Sequence, residues 1–472
     1  MIAKLRHLTV ALAVVLTASV LAWPVGSATA APAEEGRRTY TGQIDGAEYR
    51  VETPERWNGT LLLYSHGYMP EGFPVAGVAV TNRPVPFGQA TEDWLLDHGY
   101  ALAASNFKGV SGYQVKQGLT DQIALLDWFE ANVGRPEHTI STGQSLGASI
   151  AVLLADRHPE RFDGVATFCG GYDPLGIWNA VLDITFVVKT LLAPGEDIDL
   201  VKPRDPEGSQ QALQRAIDRA AATPQGRARL ALAASLNNVT GWYSARLPEP
   251  GSATERILQQ KEWLKNAYAF LGTVARVDLE RRAGGNPSWN NGIDYAKQLG
   301  RSAQTEWVAE AYRTAGLDLD ADLATLAGTP RIHADEPAVD FMYEYGVQSG
   351  RTPVPVVTLH TTGDGGAVTD QERWYAGQVR DNGDPDQLRQ LYVRRGGHCS
   401  FTAAEEITTL ENLRRRITTG TWPNLSPTTL NATAGTFDAR YQFAYDFSTF
   451  SDGPATPSFT DFTPPRFLRP SR

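Results

Sequence analysis

Cysteine is almost missing from this chain: 472 residues contain two, Cys169 and Cys399. They form no Cys-x-x-Cys pair, and the eight histidines form no His-x-x-x-His pair, so no metal site is expected. Phosphate-loop and dinucleotide fingerprints are absent as well, and no cofactor is expected. Positive charge is short: 43 Lys and Arg face 53 Asp and Glu, a net charge of −10. That balance excludes nucleic acid and an anionic membrane surface as natural partners. No internal repeat is visible in the middle of the chain.

The N-terminus reads as a targeting segment. Lys4, Arg6 and His7 form a basic start, Leu8 to Val25 is an apolar run broken by Pro24, and Ala28-Thr29-Ala30 fits the small-x-small cleavage rule. An uncleaved anchor is the rival reading, because the run is borderline for a span. The cleavage pattern and the polar Glu34-Glu35 beyond it favour a signal peptide over residues 1–30, cleaved after about Ala30, and no stable membrane anchor. No cysteine stands at the cleavage site to take a lipid. Losing Lys4 and Arg6 and no acid takes the charge from −10 to −12. In an oxidising compartment an isolated cysteine pair most simply forms one disulfide; two free thiols are the alternative. Asn58, Asn238, Asn424 and Asn431 begin glycosylation sequons.

Past the leader, 38–43 and 47–52 alternate around Asp45-Gly46 and predict a hairpin. Thr60–Ser65, Tyr100–Ser105, Thr139–Gly143 and Gly164–Cys169 are short apolar runs of the kind buried on both faces of a sheet. Helical patterns at 89–98, 119–133 and 148–157 separate them. This alternation predicts an α/β fold with a mostly parallel central sheet flanked by helices. From Asp173 to about Gly350 the pattern becomes helical, and strand signal returns at Val354–His360 and Gln390–Val393. The expected organisation is a first core segment at 31–172, a helical insertion at 173–351, a second core segment at 352–420, and a C-terminal extension at 421–472. A capping box at Thr402 to Glu405 opens a helix toward Ile417. Alternating Tyr441, Phe443, Tyr445 and Phe447 predict a late strand. The last residues have no assignable role.

Gly143-Gln144-Ser145-Leu146-Gly147 reads Gly-x-Ser-x-Gly, a serine on a sharp strand-to-helix turn. Alone the pattern is weak; its partners decide. A serine hydroxyl needs an imidazole to take its proton, and the imidazole needs a carboxylate to hold its tautomer. In such sites the chain order is serine, acid, histidine. Asp364 follows Val354–His360 in the loop Thr361-Thr362-Gly363-Asp364-Gly365-Gly366, and His398 follows the next strand in Gly396-Gly397-His398. Taken singly, each is an ordinary turn or surface residue. Among the rivals, His138 precedes its strand, His66 follows an earlier one, and His360 is too near Asp364 in sequence to face it easily. Asp370 is the rival acid, several residues past its strand. The oxyanion hole needs the N–H after the nucleophile, Leu146, and one from the His66-Gly67-Tyr68 loop, where Tyr68 is the expected donor and Met69 the fallback.

Ser-His-Gly-Tyr, Gly-Gln-Ser-Leu-Gly, Thr-Gly-Asp-Gly-Gly and Gly-Gly-His-Cys, in this order, resemble the α/β-hydrolase superfamily, and more narrowly secreted actinobacterial members classed as esterases or lipases. The resemblance covers about 38–172 and 352–420, and implies a helical cap inserted between core strands 6 and 7. It implies Ser145 as nucleophile, His398 as base, Asp364 as orienting acid, and Tyr68 and Leu146 as the hole. A Cys169–Cys399 bond would tether the histidine loop beside the serine turn, which resembles the staple of feruloyl esterases and tannases. There a cysteine directly precedes the serine; here Gln144 does.

The leading expectation is a secreted serine hydrolase of small-molecule or polymeric carboxylic esters, with Ile177, Trp178, Phe186, Trp263, Tyr268 and Phe270 of the cap walling an apolar pocket. The bland reading of these residues is helix–helix core. A second reading is an aminopeptidase or amidase with the same triad and an acidic anchor for the substrate amine, for which Glu255, Glu262, Asp278 and Glu280 are available. A third is a binding scaffold that has lost catalysis.

Overall fold

The computed structural model describes residues 36–71, 77–82 and 88–471. The expected signal peptide lies outside them. Strands β1 (Arg38–Ile44) and β2 (Ala47–Thr53) form the predicted antiparallel hairpin. β3 (Thr60–Ser65), β4 (Ala101–Ser105), β5 (His138–Gln144), β6 (Gly164–Phe168), β7 (Val356–Gly363) and β8 (Leu388–Gly396) follow, all mutually parallel. Near the C-terminus β9 (Phe443–Asp446) and β10 (Ser451–Pro454) make a separate hairpin, and β11 (Phe459–Thr460) pairs antiparallel with β8. The main sheet runs β1-β2-β4-β3-β5-β6-β7-β8-β11.

Side chains alternate across a strand, so one apolar run feeds two cores. Leu61 and Leu63 of β3 pack with Ala101 and Ala103 of β4 beneath helices α2 (Val115–Asn132) and α3 (Leu146–Arg157). Leu62 and Tyr64 face the other way, against Leu95 and Leu96 of α1 (Gln89–Asp97) and Ile407 and Leu410 of the helix Ala403–Thr419. Every residue of β3 to β6 except His138 is buried. This is the helix-flanked, mostly parallel sheet that the alternation predicts.

Between β6 and β7 the described chain is helical, and it builds a third core of its own around Val187, Leu213, Leu232 and Leu264. The helix α4 (Pro174–Leu192) joins the layers: Leu175 and Trp178 belong to the sheet core, and Val181 to Leu191 to the helical one. It is long and apolar enough to cross a bilayer, yet 78% of its most apolar window is buried in the protein.

Three expectations need correction. β7 continues to Gly363 rather than ending at His360, so Asp364 directly follows the strand. Asn238 cannot serve as a glycan acceptor in the folded chain: it is 3% exposed, its amide nitrogen donates to Asp370 Oδ2 at 2.6 Å, and its oxygen accepts from Ser302 Oγ at 2.7 Å. The residues at the C-terminal end do have a structural role. Phe467 and Leu468 are buried, Arg469 Nε lies 2.7 Å from buried Asp183 of α4, and Ser471 N–H donates to Asp173 Oδ2 at 2.7 Å. Tyr343 OH donates to Ser471 O at 2.7 Å, so this segment ties helices between β6 and β7 to one another.

Candidate active site

Ser145 sits where β5 becomes α3, with φ +52° and ψ −121°, a region that a residue with a side chain enters only under constraint. Its neighbours supply the constraint. A Cβ on Gly143 would lie 2.3 Å from Gly147 O and 2.9 Å from Ser65 O, so only glycine fits where the turn crosses the end of β3. Ser145 N–H donates to Phe168 O of β6 at 2.9 Å, which fixes the turn to the adjacent strand. Leu146 is the first residue of α3, and its N–H has no acceptor within the helix.

His398 follows β8 and Asp364 follows β7, both at the same C-terminal end of the parallel strands as Ser145. His398 Nδ1 lies 2.7 Å from Asp364 Oδ2, and His398 Nε2 lies 2.9 Å from Ser145 Oγ. Asp364 is fully buried, and its Oδ1 accepts from the N–H groups of Gly366 at 2.8 Å and Ala367 at 2.9 Å. Burial alone would raise this carboxyl, but the imidazoles of His398 and His360 and their hydrogen bonds outweigh it and hold the pKa at about 2. An ionised Asp364 places the proton on Nδ1, leaving Nε2 to accept from the Ser145 hydroxyl.

The rivals fall away on geometry. His66 spends its ring nitrogens on Gly67 O at 2.7 Å and Asn106 O at 3.2 Å and stacks on Phe107. His138 stands at the far end of β5, near Asp163. Asp370 is buried against Asn238, and burial pushes it up to about 7.

His360 corrects the spacing argument, for it does face Asp364. At Gly363 the chain folds back, Asp364 N–H donating to Thr361 O at 3.2 Å, and His360 Nε2 comes within 3.4 Å of Asp364 Oδ2. His360 is fully buried; Nε2 donates to Ala367 O at 2.8 Å and Nδ1 to Glu372 Oε1 at 2.9 Å. Burial opposes charge on the ring, yet its bonds to Asp364 and Glu372 outweigh that and raise it to about 10. Sequence reasoning missed Glu372 altogether. The available signal was period 2 on β7, which puts Thr358 and His360 on one face, where both meet Glu372.

A folded-state pKa above the ordinary histidine value of about 6.5 contributes stability that is complete below that value and lost as pH rises through about 10. The unfolding free energy from urea melts is therefore expected to fall between pH 7 and 10 more steeply in the parent than in His360→Gln. Parallel curves would show that His360 carries no such charge.

Cys169, directly after β6, is bonded to Cys399, with Cα atoms 5.3 Å apart. Both have left-handed backbone, φ +46° and +54°. Cys169, Cys399 and His398 bring two sulfurs and a nitrogen close together, but with both sulfurs in the disulfide no thiolate is there to hold a metal.

Ser145 and His398 open into a cavity of about 620 Å³ bounded by Tyr68, Trp178, Trp263 and Phe270, with Leu146 also on its wall. Of the expected cap residues, Ile177, Trp178, Trp263 and Phe270 line it. Phe186 and Tyr268 do not: Phe186 packs on Tyr295 inside the helical core, and Tyr268 OH donates to Gly365 O at 3.0 Å. Glu255, Glu262, Asp278 and Glu280 also lie off the cavity wall. Glu255 closes a capping box, Glu262 pairs with Lys261, Asp278 with Arg282, and Glu280 with Arg276.

A helix-flanked parallel sheet carrying a histidine-paired serine on a strand-to-helix turn defines a serine hydrolase of the α/β-hydrolase fold. The Esterase family model matches residues 78–234. The chain is 31% identical over 419 residues to the o-phthalyl amidase of Xanthobacter agilis, covering 83% of this chain and 89% of that one, and it belongs to the same family. Among solved structures, an esterase from Aspergillus oryzae is 14% identical, with 82% of this chain and 80% of that one covered and a TM-score of 0.37. A thermostable carboxyl esterase from Bacillus coagulans is 11% identical, with 82% and 98% covered and a TM-score of 0.35.

Proposed function

We propose that the protein is a secreted hydrolase that cleaves carboxylic esters through an acyl-enzyme on Ser145. The observation that carries this reading is the pair of hydrogen bonds, 2.7 Å from Asp364 to His398 and 2.9 Å from His398 to Ser145, ending at an apolar cavity. Ser145 Oγ attacks the ester carbonyl while His398 Nε2 takes its proton; the imidazolium is held by Asp364. The oxyanion is received by the N–H groups of Leu146 and Tyr68, with the positive end of α3 behind it. His398 then gives the proton to the departing alkoxide, and in the second half-reaction takes one from water, which releases the acid and restores Ser145. The disulfide supports an oxidising, extracellular location.

A second reading is amide cleavage by the same residues, favoured by the 31% identity to an amidase over 89% of its length. The flat walls of Trp178 and Phe270 suit an aromatic acyl group under either reading. The test is a set of p-nitrophenyl esters with acetyl, hexanoyl and benzoyl groups beside the matching p-nitroanilides and aminoacyl p-nitroanilides. Turnover of esters, with benzoyl ahead of acetyl, is expected. Turnover of the anilides alone would replace the ester reading with the amide one, and turnover only of anilides bearing a free α-amine would favour an aminopeptidase.

A further inference from the structure

The β9–β10 hairpin belongs to the C-terminal extension, yet its tip reaches the candidate active site. Asp446, fully buried, shapes the turn: its Oδ1 accepts from Ser448 N–H at 2.8 Å and its carbonyl from Thr449 N–H at 3.2 Å. Its Oδ2 accepts from the Ser244 hydroxyl, and the Arg246 guanidinium donates to Ala444 O and to Ser451 O, so the insertion holds the hairpin from one side. A bridge between Ala444 and Thr402 holds it from the other, just past His398. Docked in this way, the tip places Phe447, Ser448 and Phe450 on the cavity wall.

Two features of the tip point to a ligand. Phe450 is 57% exposed and has φ +49°, so a large apolar ring is held toward solvent in a backbone conformation that aromatic residues avoid. Four of the nine non-glycine residues with positive φ among the described residues, Ser145, Cys169, Cys399 and Phe450, gather at this one site. The Phe447 ring is centred 6.2 Å from the His398 imidazole and is braced edge-on by Tyr445 at 4.7 Å. Trp263 stands on the same side, since a Cβ on Gly366 would touch both its ring and His398 Cγ at 3.4 Å, and Tyr243 meets Trp263 edge to face at 4.9 Å.

His398 must hand its proton to the atom that leaves, so the departing group passes alongside the imidazole. We propose that the hairpin tip is the leaving-group subsite, with Phe447 and Phe450 binding an apolar, aromatic alcohol, or the corresponding amine if the scissile bond is an amide. The subsite rests on the reading of Ser145 and His398 given above. It makes the protein selective at both ends of its substrate, with Trp178 and Phe270 left to meet the acyl group and the hairpin to meet the leaving group.

The test compares benzyl benzoate with methyl benzoate, which share an acyl group and therefore a deacylation step. The readout is the ratio of their kcat/KM values. Phe450→Ala is expected to lower the benzyl-to-methyl ratio about tenfold, Phe447→Ala to lower it in the same direction, and Phe450→Leu to keep most of it. The ratio of methyl benzoate to methyl acetate is expected to stay put. An unmoved benzyl-to-methyl ratio overturns the subsite, and so does a shift confined to the acyl ratio, which would move the hairpin to the acyl side. Labelling of the parent with a fluorophosphonate separates the two levels. A labelled Ser145 with an unmoved ratio sinks the subsite alone; no labelling and no turnover of any ester sinks the reading of the site and the subsite with it.

Discussion

Replacing Ser145 with alanine is expected to lower kcat about 10⁴- to 10⁶-fold while leaving the thermal melt in place. The hydroxyl accounts for one hydrogen bond of 2.9 Å to His398, whereas the turn that presents it is held by Gly143, Gly147 and the Ser145 N–H bond to Phe168 O, none of which needs the hydroxyl. His398→Ala is expected to cost about as much, and the double variant no more than either single one, because nucleophile and base act as one unit. Asp364→Asn is expected to lose about 10⁴-fold, since an amide that can donate as well as accept no longer fixes the imidazole tautomer. Active-site titration with a fluorophosphonate, alongside steady-state turnover, measures all four. A Ser145→Ala protein within tenfold of its parent would remove the acyl-enzyme reading.

Breaking the Cys169–Cys399 bond is expected to damage stability and turnover together. The bond closes a separation of 230 residues; removing a native disulfide typically costs about 2–5 kcal/mol, and the chain-entropy account puts so long a loop at the upper end of that range. Its position adds a second effect. Cys169 N–H donates to Leu359 O of β7 at 2.8 Å, so Cys169 is held to the strand that leads to Asp364, while Cys399 adjoins His398. The bond therefore fixes the imidazole loop to the end of the sheet from which Ser145 and Asp364 emerge. A misplacement of about 1 Å in a reacting group can cost about 100-fold in rate, so Cys169→Ser with Cys399→Ser is expected to lose more than tenfold in kcat with KM little changed. Thermal melts and kinetics with and without a thiol reductant measure both quantities. A lower melting temperature with kcat intact would make the disulfide a staple of the fold and nothing more.

The residues of the candidate site were legible because each follows an apolar run and is flanked by glycine, and because serine, acid and histidine occur in one chain order. What the sequence concealed shares a physical cause. A strand followed by a tight reversal brings residues four apart face to face, so the spacing that seems to separate His360 from Asp364 is what joins them. Glu372 reaches His360 from the first turn of a helix; period 2 on β7 marks the face that Thr358 and His360 share, but not the residue that covers it. Helical patterning marks Phe186 and Trp263 as equally apolar, but a cavity wall and a helix–helix core select the same side chains, so only packing separates them. Alternation identified the strand at Phe443–Asp446; where its tip would dock depended on Asp446, Ser244 and Arg246, which are far apart in the chain.

The helical stretch between β6 and β7 also bears on how the chain folds. Phe168 of β6 pairs with Leu359 of β7, so two neighbouring strands must find each other across everything between them. Contacts of such high sequence separation slow folding, because loop-closure entropy is lost before the pairing returns anything. The intervening helices have a core of their own, and if they condense first, the gap to be closed is the distance between two ends of a compact body. Ser145 can then take its strand-to-helix turn early, while His398 and Asp364 reach it only after that closure. On that order the three groups of the candidate site would be brought together only as the last of the sheet closes.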